Sequence, residues 1–217
     1  MVKVLHVGAG DLLRSNELEQ YIDRAVEQVV YIEAVPYLVT NGRGKIDQQN
    51  SINGRNDKIY HGLVWRESGL TKTFKLFNND TFSSIYGINN AEWKWPAIQD
   101  VKTWDITLET ITLDDFLEKE KIDGQEYECM AMDVQGAEYD VLLGGERFLE
   151  NVNCMKLEVS SKEFYTGQAL YPELRDHLCS KGFYVEEMTA DHQDVYAWKT
   201  GYEKYTTYLP PYDSMLS

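Results

Sequence analysis

YECMAMDVQGAE, residues 127–138, runs from an apolar segment into an acid, a glycine and a second acid. Tyr127 to Met132 predicts a strand, because the apolar residues Cys129 to Met132 follow one another without alternation up to Asp133. Asp133 ends that strand, and Gly136 supplies a turn. Ala137, Val141, Leu142, Phe148 and Leu149 then recur at helical spacing. A buried strand, a tight turn and an amphipathic helix together form half of a parallel βαβ unit.

The same grammar extends in both directions. Val4 to Val7 is a short apolar run ended by Gly8, and Leu18, Tyr21, Ile22, Ala25 and Val26 give the following helix one apolar stripe. Val29 to Ile32 is a second buried strand, stopped by Glu33 and Pro36. Residues 41–60 (NGRGKIDQQNSINGRNDKIY) are rich in Gly and Asn and predict mostly loop. His61–Trp65 and Lys72–Phe77, with Glu67-Ser68-Gly69 between them, predict a pair of strands joined by a turn. Thr112 with Asp115 three residues on predicts a helix N-terminus. Cys154 to Val159 is the next strand. A helix follows with Pro172 in its first turn and Gly182 beyond its end. Tyr184–Met188 and Val195–Lys199 predict two last strands. The fold class expected is α/β: a doubly wound, mostly parallel sheet with helices on both faces and one antiparallel edge strand.

Composition narrows the function. The chain has 217 residues, 43% of them apolar and 12% aromatic, enough for a packed core. Its net charge is −15, and residues 105–150 alone carry 14 acidic and 3 basic side chains. Nucleic-acid binding needs a basic face, so no nucleic-acid partner is expected. No apolar run reaches the roughly 18–20 residues of a membrane span, and the first residues lack the pattern of a signal peptide. The expectation is a soluble, cytoplasmic protein, a monomer or homodimer. Residues 1–217 would form one domain with a core over about 1–200 and a Tyr-rich tail over 201–217. Cys129, Cys154 and Cys179 fit no CxxC pattern and read as reduced core residues.

In a parallel sheet, ligands bind beyond the carboxyl ends of the strands. Gly8-Ala9-Gly10 follows the first strand and would let a ligand approach the backbone. The dinucleotide fingerprint is not met, because Leu13 stands where its third glycine belongs, so a nucleoside without a pyrophosphate suits the site better. Glu33, at the end of the second strand, can accept hydrogen bonds from ribose hydroxyls. Asp133 directly follows an apolar strand, and a carboxylate there is rarely desolvated without a partner. Glu138, in the first turn of its helix, and Glu158, near the end of the strand from Cys154, are further acids at strand tips. No spacing demands a metal ion. His177, mid-helix, reads as structural, and His192 falls in a turn between the last two strands.

MDVQGAEYDVLLGG resembles the signature of the FkbM-type S-adenosylmethionine-dependent methyltransferases, a D-x-x-G-x-E followed by an apolar helix. HVGAG, YIEAVP, HGLVW, Ser83-Ser84-Ile85, ITLDDFL and LEVS match in the same order, so the resemblance covers most of residues 4–190. It implies a class I methyltransferase fold with a seven-stranded sheet, S-adenosylmethionine as donor, and O-methylation of a sugar, glycan or related small molecule. It also implies that His6, Gly8, Ala9, Gly10, Glu33, Ala34, Ser83, Ser84, Asp133 and Gln135 surround the donor. Asp133 would then be the general base, with Glu138 and Glu158 as the other acidic candidates. Trp93, Trp95, Tyr165 and Tyr171 are candidate sugar-stacking rings, and the long connection over 78–100 is a candidate cover for the acceptor. A non-catalytic binding module and a nicotinamide-dependent oxidoreductase are the alternatives.

Overall fold

The computed structural model describes residues 2–78, 82–92 and 102–211. In chain order the elements are β1 (Lys3–Val7), α1 (Glu17–Asp23), β2 (Gln28–Glu33), α2 (Pro36–Asn53), β3 (Lys58–His61), β4 (Leu63–Val64), β5 (Thr71–Phe77), β6 (Gly87–Ile88) and β7 (Thr103–Ile111). Then come α3 (Leu113–Glu120), β8 (Cys129–Met132), α4 (Glu138–Leu143), α5 (Glu146–Asn151), β9 (Cys154–Ser160), β10 (Tyr165–Thr166), α6 (Tyr171–Ser180), β11 (Phe183–Val185) and β12 (His192–Lys199).

Seven strands make the main sheet in the order β11-β12-β9-β8-β1-β2-β3. Every neighbouring pair from β9 to β3 is parallel, as buried apolar runs demand. β12 runs antiparallel to both β9 and β11, so the reversed strand lies one place in from the edge. Side chains alternate across the sheet and feed two cores. Leu5, Met130, Met155 and Val195 pack under α3 to α6, while Val4, Tyr31, Ala131 and Cys154 pack under α1 and α2. β1 lies at the centre, between β2 and β8, so the chain reverses its winding there. A crevice opens beyond the strand ends at such a point.

Local signals hold at several places. Thr112 caps α3, its Oγ1 accepting from the Asp115 N–H at 3.1 Å. Other expectations fail, each for a tertiary reason. Residues 41–53 belong to α2, not to a loop. Leu38, Val39, Gly42 and Ile46 form its buried stripe, and a Cβ on Gly42 would meet Ile59 Cδ1 at 3.1 Å. That glycine brings helix and sheet close, and packing overrides its weak helix propensity. The loop begins only after Gly54, whose left-handed backbone ends the helix.

The expected hairpin of 61–65 with 72–77 is replaced by a three-stranded sheet. β7 alternates polar and apolar residues and pairs antiparallel with β5 and parallel with β4, taking both partners from each other. The helical stripe over 137–149 is broken into α4 and α5 at Gly144-Gly145, where a Cβ on Gly144 would sit 2.3 Å from the Trp65 carbonyl oxygen. Cys129 and Cys154 are buried thiols, but Cys179 is exposed on α6. The described part of the tail, residues 201–211, folds back on the body. A 3-10 turn over Glu203–Tyr208 lies on β9 and β12, Leu209 is buried, and the buried Lys156 Nζ donates to the Pro210 carbonyl at 3.0 Å. Tyr212 of that tail, like Trp93 and Trp95, lies outside the described residues. No helix among the described residues is long and apolar enough to cross a membrane.

Candidate active site

A cavity of about 450 Å³ opens beyond the carboxyl ends of β1, β2 and β8, within the roughly 300–1,000 Å³ of small-molecule sites. Backbone bonds fix its floor. The Gly8 N–H donates to the Ile32 carbonyl at 2.8 Å, and the Asp133 N–H donates to the Val7 carbonyl at 3.0 Å. The three strand tips are thereby drawn together. Gly8 has φ +88°, and a Cβ there would lie 1.7 Å from the Asp133 carbonyl oxygen, so no other residue fits. Gly10 has φ +55°, and among the described residues nothing lies within 4 Å of the place a Cβ would take. Both glycines line the cavity.

Glu33 is buried at the tip of β2. Its Oε2 accepts from the Gly10 N–H and its Oε1 from the Val35 N–H, both at 2.8 Å. Both oxygens are thus anchored by backbone N–H groups, and the residue lines the cavity. Leu38, Leu63, Val64 and Phe74 form an apolar wall near it. Glu33 and Asp133 thus face the same cavity, as the strand-tip reading requires.

His6, Ala9, Ala34, Ser83 and Gln135 also line the cavity. His6 is a fully buried part of it. Burial first, then the nearby Lys156 charge, push its imidazole down to about 3, so it is neutral at ordinary pH. Its Nδ1 lies 3.2 Å from the Tyr21 hydroxyl. Ser84 is not among the lining residues. Its Oγ donates to the Gln135 carbonyl at 2.7 Å, so it supports the wall from behind.

Of the three acids, only Asp133 lines the cavity. Glu138 is buried behind it, where its Oε1 accepts from the Val134 N–H at 3.0 Å and the Gly136 N–H at 3.3 Å. It holds the turn. Burial, and then the Glu158 and Asp133 charges, raise its carboxyl to about 8. One oxygen from each of Asp133, Glu138 and Glu158 lies within 4.8 Å of the others. Like charges so close favour protonation of one member, and Glu138, the most buried, is the one that holds the proton.

Gln135 sits among them in a left-handed backbone conformation, φ +54°. For a residue with a Cβ this costs about 1–2 kcal/mol. Its amide Nε2 donates to Asp133 Oδ1 and, at 3.4 Å, to Glu158 Oε2, while its Oε1 accepts from the Tyr165 hydroxyl. The turn closes on Tyr165, because a Cβ on Gly136 would approach that side chain to 2.9 Å.

His192 is not in a turn. It begins β12 opposite Ser160, with its Nε2 3.0 Å from Glu158 Oε1 and its Nδ1 2.8 Å from Ser160 Oγ. Burial would lower its pKa, but the Glu158 charge and hydrogen bond, with Glu138 and Asp133 beyond, lift it to about 9. It is therefore an imidazolium beside the acids. His61, whose Nε2 lies 3.0 Å from the Ala34 carbonyl, and His177, on α6 near Glu146, stand apart from the cavity. Tyr165 and Tyr171 do not present faces to a sugar. Tyr165 is wholly buried, and the Tyr171 hydroxyl donates to the Glu186 carbonyl. Of the connection over 78–100, the described Ser83 and Ile85 line the cavity, and residues 79–81 and 93–100 lie outside the described residues.

Sequence reasoning missed Tyr165 and His192 as neighbours of the acids. The only local hints were a tyrosine and a histidine just outside apolar strands, a weak signal.

The model of the methyltransferase FkbM domain matches residues 7–185. The crystal structure of methyltransferase FkbM from Methylobacillus flagellatus KT is similar in fold, with a TM-score of 0.52 and 13% identity over 91% of this chain. The chain spans 43% of that protein's length. The METTL16 methyltransferase domain gives a TM-score of 0.48 at 11% identity, over 91% of this chain and 59% of its own. The methyltransferase domain of bacterial CtHen1-C also gives 0.48, at 12% identity over 91% and 89%. No curated protein matches the sequence.

Proposed function

The chain belongs to the FkbM methyltransferase family, and on that premise we propose that it moves a methyl group from S-adenosylmethionine to a hydroxyl of a sugar, glycan or related small molecule, with Asp133 as general base. The observation that carries this reading is the meeting of Gly8–Gly10, Glu33 and Asp133 around one cavity. The cavity residues fit the donor. Gly10 leaves its side of the backbone open, Glu33 offers two anchored carboxylate oxygens to ribose hydroxyls, and Leu38 and Leu63 form an apolar shelf for the base.

When bound, the donor supplies a methyl group made electrophilic by its sulfonium charge. The chain supplies the rest. Its net charge of −15 draws in a cation. Anchoring the nucleoside at Glu33 restricts the approach to one line, and such orientation is worth about 7–11 kcal/mol of barrier in favourable cases. Asp133 then takes the acceptor's hydroxyl proton as its oxygen becomes the nucleophile. General-base catalysis of that kind contributes about 10²–10⁴-fold. The acids that line the cavity, Asp11, Glu17, Glu33 and Asp133, favour a neutral acceptor over a phosphorylated one.

Calorimetry with S-adenosylhomocysteine, followed by a mass-spectrometric screen for methyl transfer over glycosides and polyols, tests the proposal. Asp133→Asn is expected to lower turnover by about 100-fold or more while leaving donor affinity within a few-fold. A wild-type protein that binds no donor sinks the proposal. One that binds donor but methylates no hydroxyl is a binding module instead.

A further inference from the structure

Gln135 combines two features that call for a common explanation. Its backbone is left-handed, where glycine is favoured, and its side chain is used at both ends of the amide. We propose that Gln135 is a positioning residue whose amide, oriented by Tyr165, fixes the Asp133 carboxylate in the cavity wall. This inference rests on Asp133 as general base.

The chemistry sets the direction of the amide. Tyr165 is a hydroxyl donor, so it meets the carbonyl end, Oε1. The two N–H groups then face the two carboxylates, Asp133 and Glu158. Turned over, the amide would set its carbonyl against both acids and leave its N–H groups to a phenol oxygen. Glu158 is in turn held at its other oxygen by His192. A hydrogen-bonded chain thus runs from Ser160 through His192, Glu158 and Gln135 to Asp133.

The main chain is clamped as well, since Ser84 Oγ donates to the Gln135 carbonyl and Gly136, φ +93°, carries the turn onward beside Tyr165. A turn that needed only its shape would be served better by glycine at 135. Glutamine there keeps the strained conformation in return for an amide between two acids. A carboxylate so held cannot rotate away from its hydrogen bond, and small misplacements of a reacting group cost large factors in rate.

Two variants test the assignment. Gln135→Gly keeps the turn and deletes the amide. Tyr165→Phe keeps the ring against Gly136 and deletes the hydroxyl that orients the amide. The first readout needs no acceptor. Three-bond couplings to the Asp133 carboxyl carbon report its χ1 rotamer, expected to be single in the wild type and averaged in both variants. The second readout is kinetic. Turnover is expected to fall about 30-fold or more in Gln135→Gly and about 5–10-fold in Tyr165→Phe, and Tyr165→Phe, whose side chain does not line the cavity, should keep affinity for S-adenosylhomocysteine within threefold of wild type. The double variant should be no worse than Gln135→Gly alone, because Tyr165 acts through the amide. Unchanged Asp133 couplings in both variants would overturn the proposal, as would additive losses. Absence of methyl transfer in the wild type, with its Asp133 rotamer fixed, would instead count against the function.

Discussion

Replacing His192 by Gln should change how stability depends on pH more than it changes stability at any one pH. His192 titrates near 9 in the folded protein against an ordinary 6.5, because Glu158 lies 3.0 Å from its Nε2. A group that holds its proton more tightly when folded contributes stability in full below its unfolded pKa. That contribution is lost as the pH rises through the folded value. The window is therefore pH 6.5 to 9. At about 1.4 kcal/mol per pH unit, it amounts to about 3 kcal/mol. Glutamine can still donate to Glu158 but carries no charge and does not titrate. Urea unfolding followed by tryptophan fluorescence at pH 6.5 and 9.5 gives the difference for each protein. The wild type should lose about 3 kcal/mol more than His192→Gln between those values, with equal m-values. Glu138, raised to about 8, also loses stability as the pH rises, from 4.5 upward, but in both proteins, so most of its share cancels. Equal losses within about 0.5 kcal/mol would refute the ion pair as the source of the shift.

Glu33→Gln should weaken S-adenosylhomocysteine binding by at least tenfold in calorimetry, and should also cost about 1–3 kcal/mol of stability. One end of the new amide would face a backbone N–H at Gly10 or Val35. Retained affinity would remove Glu33 from the ribose role. Gly8→Ala and Gly10→Ala should behave oppositely. The first forces a Cβ to 1.7 Å from the Asp133 carbonyl oxygen and should lose at least about 2 kcal/mol in denaturant unfolding. The second meets no atom of the described residues, so it should cost only about 1–2 kcal/mol in stability while lowering donor affinity. A Gly10→Ala protein that binds donor as the wild type does would place the ligand elsewhere.

Much of the site could be read from the chain because strand ends are local features. An apolar run followed by Gly8, Glu33 or Asp133 marks a tip without knowledge of its neighbours, and the parallel order that such runs imply brings the tips together. The reading of α2 failed where local composition and packing disagreed. Gly42 looks like a loop residue, yet a side chain there would strike Ile59 and Leu12. The hairpin assigned to 61–77 failed because β7, nearly 30 residues beyond β5, competes for the same edges.

From the amino-acid order alone came the alternation of strands and helices, the acids at two strand tips and the glycines that follow the first strand. Period, chain breakers and strand termini are set within a few residues. Folding in three dimensions determined which groups surround Asp133. Tyr165 lies 30 residues from Gln135 and His192 lies 34 from Glu158, and only the closing of β10 and β12 onto the site brings them within hydrogen-bond reach. Such contacts depend on register between distant segments, and burial together with the neighbouring charges then decides which of the gathered groups hold protons.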